Sequence, residues 1–343
     1  MKKPYFVPGG RLLAATLIAL AGMAAASADQ VNVYTERQQV FLDDIFAAFT
    51  EATGIEVEAL YIDKGAVERL ASEGEASPAD VIILTDIGRL HEVVKQELSA
   101  PADSPEVQAA VPAWLRHPQG LWVALTRRAR LVYAHNDEQQ LPAHYEDLAA
   151  AGMEGSLCLR SGSHPYNVAL FAAYLDRYGE EKALGWLSGL NQNLAREPQG
   201  NDRAQIKGVA SGECRYAIAN SYYYFKMLNS DDSAERDAAA QVQLVAPTFV
   251  DGGTHVNVSG AAIARHAPHP EAALALINFM VSSQAQKIYA ERNFEMPVRE
   301  DVAMTGQLAD ASALIESDSQ QLADIAQLRS EAARLAVEAG LAK

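Results

Sequence analysis

Three tyrosines in a row, Tyr222-Tyr223-Tyr224, follow Asn220-Ser221 and lead into Phe225-Lys226. Asn and Ser are favoured helix N-caps, and the apolar run Tyr216, Ala217, Ile218, Ala219 before them reads as a strand. The pattern predicts a strand that ends at Asn220, with Asn220 or Ser221 as cap and a helix beginning on the tyrosines. A helix start presents unpaired N–H groups and the positive end of the dipole, so it favours negative charge. A phenol ionises near pH 10, and a bound cation is what brings that ionisation down to neutral pH. On this basis Tyr222 and Tyr223 read as phenolate ligands of ferric iron. The alternative is ordinary packing, with each ring amphipathic and its hydroxyl in water. Successive helical residues step by about 100°, so four consecutive aromatics cannot all face one core.

Tyrosine suits this metal because ferric iron is a small, hard trication that prefers anionic oxygen, whereas thiolates and imidazoles suit softer ions. The histidines add no pattern: His266 and His269 sit in a proline-rich turn, His144 stands alone, and His164, two residues from Tyr166, reads as a support to the ligands or a structural residue, not a ligand. No cysteine pair has zinc spacing and no Asp-x-Asp-x-Asp loop for calcium occurs. Gly-x-Ser-x-Gly, Walker-type and His-Glu-x-x-His signatures are also missing, so the sequence reads as a binder and not an enzyme. A secreted hydrolase with an unrecognised site is the reading from another class.

The elements that must position these tyrosines sit behind a leader. Lys2, Lys3 and Arg11, the largely apolar stretch 12–21 and Ala26-Ser27-Ala28 have the make-up of a signal peptide over residues 1–28. Its apolar core is too short for a span, and no other run of spanning length follows. The expectation is an exported, soluble, periplasmic protein. Cleavage removes three positive charges and no negative ones from the formal −16, leaving about −19. Such an acidic surface argues against nucleic acid and anionic membrane as partners. The remaining chain is long enough for two domains with cores of their own. Its two cysteines, Cys158 and Cys214, are expected to form a disulfide in an oxidising compartment, each near the start of a predicted strand.

Strands predicted over 31–34, 55–62 and 81–84 alternate with helices carrying Phe41 to Phe49, Val67 and Leu70, and Leu90 to Leu98. That alternation indicates a parallel sheet with right-handed crossovers. Apolar runs at 121–125 and 131–133 flank the basic tetrad Arg127-Arg128-Ala129-Arg130. A second α/β unit follows: strands at 157–160, 215–220, 242–247 and 256–264, and helices at 168–178, 181–190, 202–210, 271–291 and about 320–339. Gly252-Gly253 reads as a turn feeding the strand at Val256. With no linker between the units, the chain is expected to cross between them more than once through extended strands.

Several stretches together resemble the periplasmic ferric-ion-binding proteins of ABC iron importers. They are Ser77-Pro78-Ala79-Asp80-Val81, residues 126–130, Arg160-Ser161-Gly162-Ser163-His164-Pro165-Tyr166-Asn167, Arg196-Glu197-Pro198-Gln199-Gly200-Asn201-Asp202, Asn220-Ser221-Tyr222-Tyr223 and Gly253-Thr254-His255-Val256-Asn257-Val258-Ser259-Gly260. The resemblance implies an α/β, two-lobed type II periplasmic-binding fold, each lobe a mixed, mainly parallel sheet flanked by helices and joined by crossover strands. It implies lobe 1 over 29–125 plus about 251–300, and lobe 2 over 126–250 plus about 301–343. It further implies Tyr166, Tyr222 and Tyr223 as the ligands of Fe(3+), with Tyr224 left to packing or support.

Many members add a histidine, alone or before a tyrosine, in the loop after the first strand. Here that loop is Thr35-Glu36-Arg37-Gln38-Gln39, which points to the branch that completes the shell with a synergistic anion such as carbonate. Three phenolates cancel the charge of the ion, so the anion needs cationic or donor partners. Arg128 and Gln38 are the candidates, against the reading of Arg128 as one more surface arginine of the tetrad. The function implied is capture of ferric iron in an interlobe cleft by a monomer, and delivery to the permease and ATPase of an ABC importer. The alternative is a receptor of the same fold for an organic solute such as a polyamine or small carboxylate.

Overall fold

The computed structural model describes Met1 and residues 30–342, so the expected signal peptide lies outside the described residues. Strand β1 (Gln30–Thr35) leads through a 3₁₀ turn at Gln39–Phe41 into helix α1 (Asp43–Thr53), which Gly54 closes in the left-handed region (φ 74°). β2 (Glu56–Tyr61), α2 (Ala66–Glu73), β3 (Val81–Leu84) and α3 (Ile87–Lys95) follow as the alternation predicts. Asp86 caps α3, its carboxylate accepting from the Gly88 N–H at 3.0 Å. β4 (Ser99–Ala100) and α4 (Pro105–Ala110) then lead to β5 (Val123–His135). The two apolar runs and the basic tetrad between them thus form one thirteen-residue strand.

The second unit opens with β6 (Leu157–Cys158), shorter than expected, then α5 (Pro165–Tyr178), α6 (Glu180–Gln192), α7 (Asp202–Ala210), β7 (Tyr216–Asn220) and α8 (Ser221–Leu228). After α9 (Ser233–Ala240), β8 (Val242–Val245) and β9 (Val256–Ala264), the chain continues through α10 (Pro270–Met280) and α11 (Ser283–Ile288). The single helix expected over 271–291 is therefore broken, because the Ser282 hydroxyl accepts from the Ala285 N–H and starts a new helix. β10 (Met296–Pro297) and α12 (Gly306–Ser312) precede α13 (Leu322–Gln327) and α14 (Arg329–Glu338). The continuous helix expected over 320–339 is also broken, at Leu328. α13 packs on α3 and α5 whereas α14 packs on α5 and α6, and one straight rod would not serve both surfaces.

β1 pairs in parallel with β2 and β3, as the alternation requires. β3 pairs antiparallel with β9, and β9 with the first half of β5, up to the Ala129–Val256 partners. From Arg130 onward β5 pairs instead with β7 and β8, and β7 in parallel with β6. One strand thus belongs to two sheets, which are mixed and flanked by helices. The expectation of mainly parallel sheets needs correction: only three of the nine strand pairings among the described residues are parallel. The physical reason lies in the crossings, since a strand that leaves one sheet for the other runs against the strands it returns to.

The disulfide joins Cys158 at the end of β6 to Cys214 before β7, with Cα atoms 5.7 Å apart. Among the described residues no helix is long and apolar enough to cross a membrane.

Candidate metal centre

No residue intervenes between β7 and α8: Asn220 is extended (φ −73°, ψ 143°) and Ser221 is already helical. Neither of the side chains expected to cap does so. The Asn220 amide oxygen accepts from Arg130 Nη1 at 3.2 Å, and the Ser221 hydroxyl accepts from the Ala129 N–H at 3.3 Å. The first turn of α8, which carries Tyr222 and Tyr223, is left without a side-chain cap. Tyr166 lies on the first turn of α5, where Pro165 stands at N1 and His164 Nδ1 accepts from the Tyr166 N–H at 3.2 Å. That gives His164 the structural role expected of it.

Two helix N-termini therefore converge. The hydroxyls of Tyr166 and Tyr222 stand 3.5 Å apart, and the rings of Tyr222 and Tyr223 lie 4.2 Å apart. All three tyrosines line one cleft, whose free space of about 90 Å³ equals roughly three waters. Both helix dipoles turn their positive ends toward these phenols. Burial, followed by the neighbouring Tyr166 and Tyr223, pushes the Tyr222 phenol well above its ordinary value. Burial also pushes Tyr223 up, with Tyr166 the next cause. Both hydroxyls therefore hold their protons at neutral pH until a cation replaces them. Tyr224 turns away: its ring packs 5.6 Å from that of Tyr133, and its hydroxyl donates to the Val242 carbonyl at 3.4 Å.

Buried charge holds this geometry. Asp202, on the first turn of α7, accepts from Arg130 Nη1 at 2.7 Å, Arg160 Nη1 at 2.8 Å and the Asn220 N–H at 2.8 Å. Arg130 Nη2 donates to the Asn167 amide oxygen at 2.6 Å, next door to Tyr166. Burial works against the Asp202 carboxylate, but Arg130 and Arg160 outweigh it and hold its pKa below the ordinary range.

The opposite wall comes from β1, β5, β9 and the loops beside them. Arg128 is buried, 2% exposed, so it is not a surface arginine of the tetrad. Its guanidinium carbon lies 5.0 Å from the Tyr166 ring centroid, with Arg160 at 5.3 Å from the same ring. Arg128 Nη2 donates to the Thr85 carbonyl, while its Nε has no partner among the described residues. Gln38 lines the same cleft and is exposed, its side chain making no capping bond.

Arg37, Phe41, Lys226 and Glu295 complete the neighbourhood, and sequence reasoning assigned none of them a role. Arg37 and Glu295 form a buried ion pair between residues 258 positions apart, so no local pattern could signal it. Among the described residues no group of three or more His, Cys, Asp or Glu is placed to hold a metal. Beside the three phenols the cleft lining holds two carboxylates, Glu36 and Glu295, paired with Arg89 and Arg37.

Residues 30–295 match the family described as bacterial extracellular solute-binding protein. The chain belongs to that family. This solute-binding protein is 36% identical over 344 residues to iron uptake protein A2 of Synechocystis, covering 99% of this chain and 98% of the relative. Its structure matches that of apo ferric ion-binding protein A from Pasteurella haemolytica with a TM-score of 0.86 and 39% identity, covering 92% of this chain and 99% of that one. A Trichodesmium structure in complex with iron and citrate ligands matches with a TM-score of 0.86 and 34% identity, over 91% and 99% of the two chains. The two-lobed type II periplasmic-binding fold expected from the sequence is the fold of this solute-binding protein.

Proposed function

We propose that this protein is the exported, periplasmic receptor of an ABC iron importer. It captures ferric iron on Tyr166, Tyr222 and Tyr223 and delivers it to a membrane permease driven by an ATPase. The observation that carries the reading is the convergence of two tyrosine-bearing helix N-termini, with the Tyr166 and Tyr222 hydroxyls 3.5 Å apart. Relatives across the whole chain, named for iron uptake and ferric ion binding, support it. The ion is cargo, held and released unchanged, so the protein is a carrier and not an enzyme.

The lobes are residues 29–125 plus about 251–300, and 126–250 plus about 301–343. The change of sheet within β5 at Ala129–Arg130 supports a division just past the expected 125/126 boundary, with Arg128, paired to Asn257, still on the first-lobe side. Closure about that level brings the Arg128 wall against the tyrosine wall and expels water. Three phenolates neutralise the trication, and a synergistic anion such as carbonate fills the remaining positions, held by Arg128 and Gln38. The free Nε of Arg128, buried beside the Tyr166 ring, supports that role. The organic-solute reading is disfavoured by the relatives matched across the whole chain, which are named for iron uptake and ferric ion binding.

Adding ferric citrate to the iron-free protein tests the reading. A phenolate-to-iron charge-transfer band in the visible is expected, and Tyr222→Phe or Tyr223→Phe should bleach most of it. A colourless mixture with no retained iron would contradict the proposal. Strict exclusion of bicarbonate and other small anions should weaken retention; unchanged binding would remove the anion from the scheme.

A further inference from the structure

Between the two walls of the cleft sits a single ring, that of Phe41, at the end of the 3₁₀ turn that follows β1. On its own side it is fixed twice: the Arg37 guanidinium carbon lies 5.0 Å from the ring centroid, and Asn293 Nδ2 donates to the Phe41 carbonyl at 2.9 Å. Arg37 is itself clamped by Glu295, and its guanidinium lies 5.6 Å from the ring of the buried Tyr289. On the far side the ring meets two residues of α8. The Lys226 ammonium stands 4.1 Å from its centroid, and the Tyr222 ring lies 6.0 Å away at 88°, edge to face. Tyr222 and Lys226 are four residues apart, so they are neighbours on one face of that helix. Phe41 is therefore gripped by one turn of the very helix that presents two of the three phenols.

We infer that Phe41 is a positioning residue for iron retention: a first-lobe ring clasped between Tyr222 and Lys226, which holds the lobes shut over the cargo. This rests on the iron-receptor reading for the identity of the cargo. Opening the lobes withdraws the ring, ends its contacts with Lys226 and Tyr222, and admits water and competing chelators to the phenols. Burial already lowers the Lys226 pKa below its ordinary value, which fits an ammonium partly stripped of water by closure. A cation on an aromatic face gains strength under those conditions.

Loss of one partly desolvated cation–π contact and one edge-to-face contact corresponds to about tenfold or more in a release rate. Phe41→Ala should therefore bind iron at saturation and lose it to excess EDTA about tenfold faster than wild type, followed by decay of the visible band. Lys226→Met, which keeps an apolar stem without the charge, should fall between the two. Small-angle scattering of the iron-free proteins gives a readout that needs no metal: Phe41→Ala should show a larger radius of gyration than wild type, with an unchanged far-ultraviolet circular dichroism spectrum. Release from Phe41→Ala at the wild-type rate, or an iron-free radius equal to wild type, overturns the clasp. A wild type that never develops colour overturns the iron reading instead, and the scattering comparison still decides the clasp.

Discussion

Tyr222 is the most demanding side chain in the cleft, because it is buried and no cation among the described residues is hydrogen-bonded to its hydroxyl. Burial and two neighbouring phenols push its pKa up, and burial pushes Tyr223 up in the same direction. At neutral pH both are protonated, so an incoming trication must expel their protons before the oxygens can bind it. The sign follows directly: iron affinity rises with pH and falls on acidification. These two phenols alone give about a hundredfold change in affinity per pH unit while both exchange a proton for the metal. In a pH-stat titration, at least two protons should appear per iron bound; fewer than two would mean that these phenols stay neutral and do not ligate. With such high pKa values, the proposed site is expected to discriminate against softer or less charged ions, which supply less drive to ionise a phenol.

At the scale of elements, α5, α7 and the β7–α8 junction are tied together through one carboxylate. Asp202 takes bonds from Arg130 on β5, from Arg160 beyond β6 and from the backbone at the end of β7. Asp202→Ala leaves two buried guanidinium groups facing each other without a counter-charge. The expected loss is about 3–5 kcal/mol in urea unfolding, with weakened iron retention because both tyrosine helices lose their anchor. Unfolding within about 1 kcal/mol of wild type would show that the cluster does not hold these elements. Because the folded pKa of Asp202 is lowered, its contribution is present above the unfolded carboxylate value and fades as pH falls through the folded one. Much of this level was legible in the sequence. The extent of α7 and the alternation of β1, β2 and β3 with their helices follow from periodicity, and the β7–α8 junction falls where the apolar run ends, although neither Asn220 nor Ser221 caps it. The break at Leu328 was not legible, since apolar periodicity runs through it and the turn answers to packing partners elsewhere in the chain. The break at Ser282 had a local signal, a capping serine, which the apolar periodicity on either side masks. Nor was the Arg37–Glu295 pair, which the fold creates from opposite ends of the sequence.

At the scale of the whole molecule, two segments cross between the sheets at one level. β5 changes partners between Ala129 and Arg130, and the Arg130 N–H donates to the His255 carbonyl at 3.0 Å just before β9 begins. Beside them, a Cβ on Gly253 would come within 2.4 Å of the Glu316 carbonyl oxygen, so only glycine lets the crossing chain pair with the segment near residue 317. The sequence indicated repeated crossing, yet not the antiparallel pairing that crossing imposes on both sheets. It indicated Arg128 and Gln38 for the first wall but not Phe41, because Phe41 falls at helical spacing with Phe49 and so reads as part of the apolar face of the following helix. The account depends on the two walls meeting over one ion bonded to three oxygens of the second lobe. Crystals of the ferric complex, with an anomalous difference map collected at the iron edge, test this most directly. A single peak within bonding distance of the hydroxyl oxygens of Tyr166, Tyr222 and Tyr223 together is expected; a peak elsewhere, or one reached by fewer than these three, would rule out capture by the three phenols.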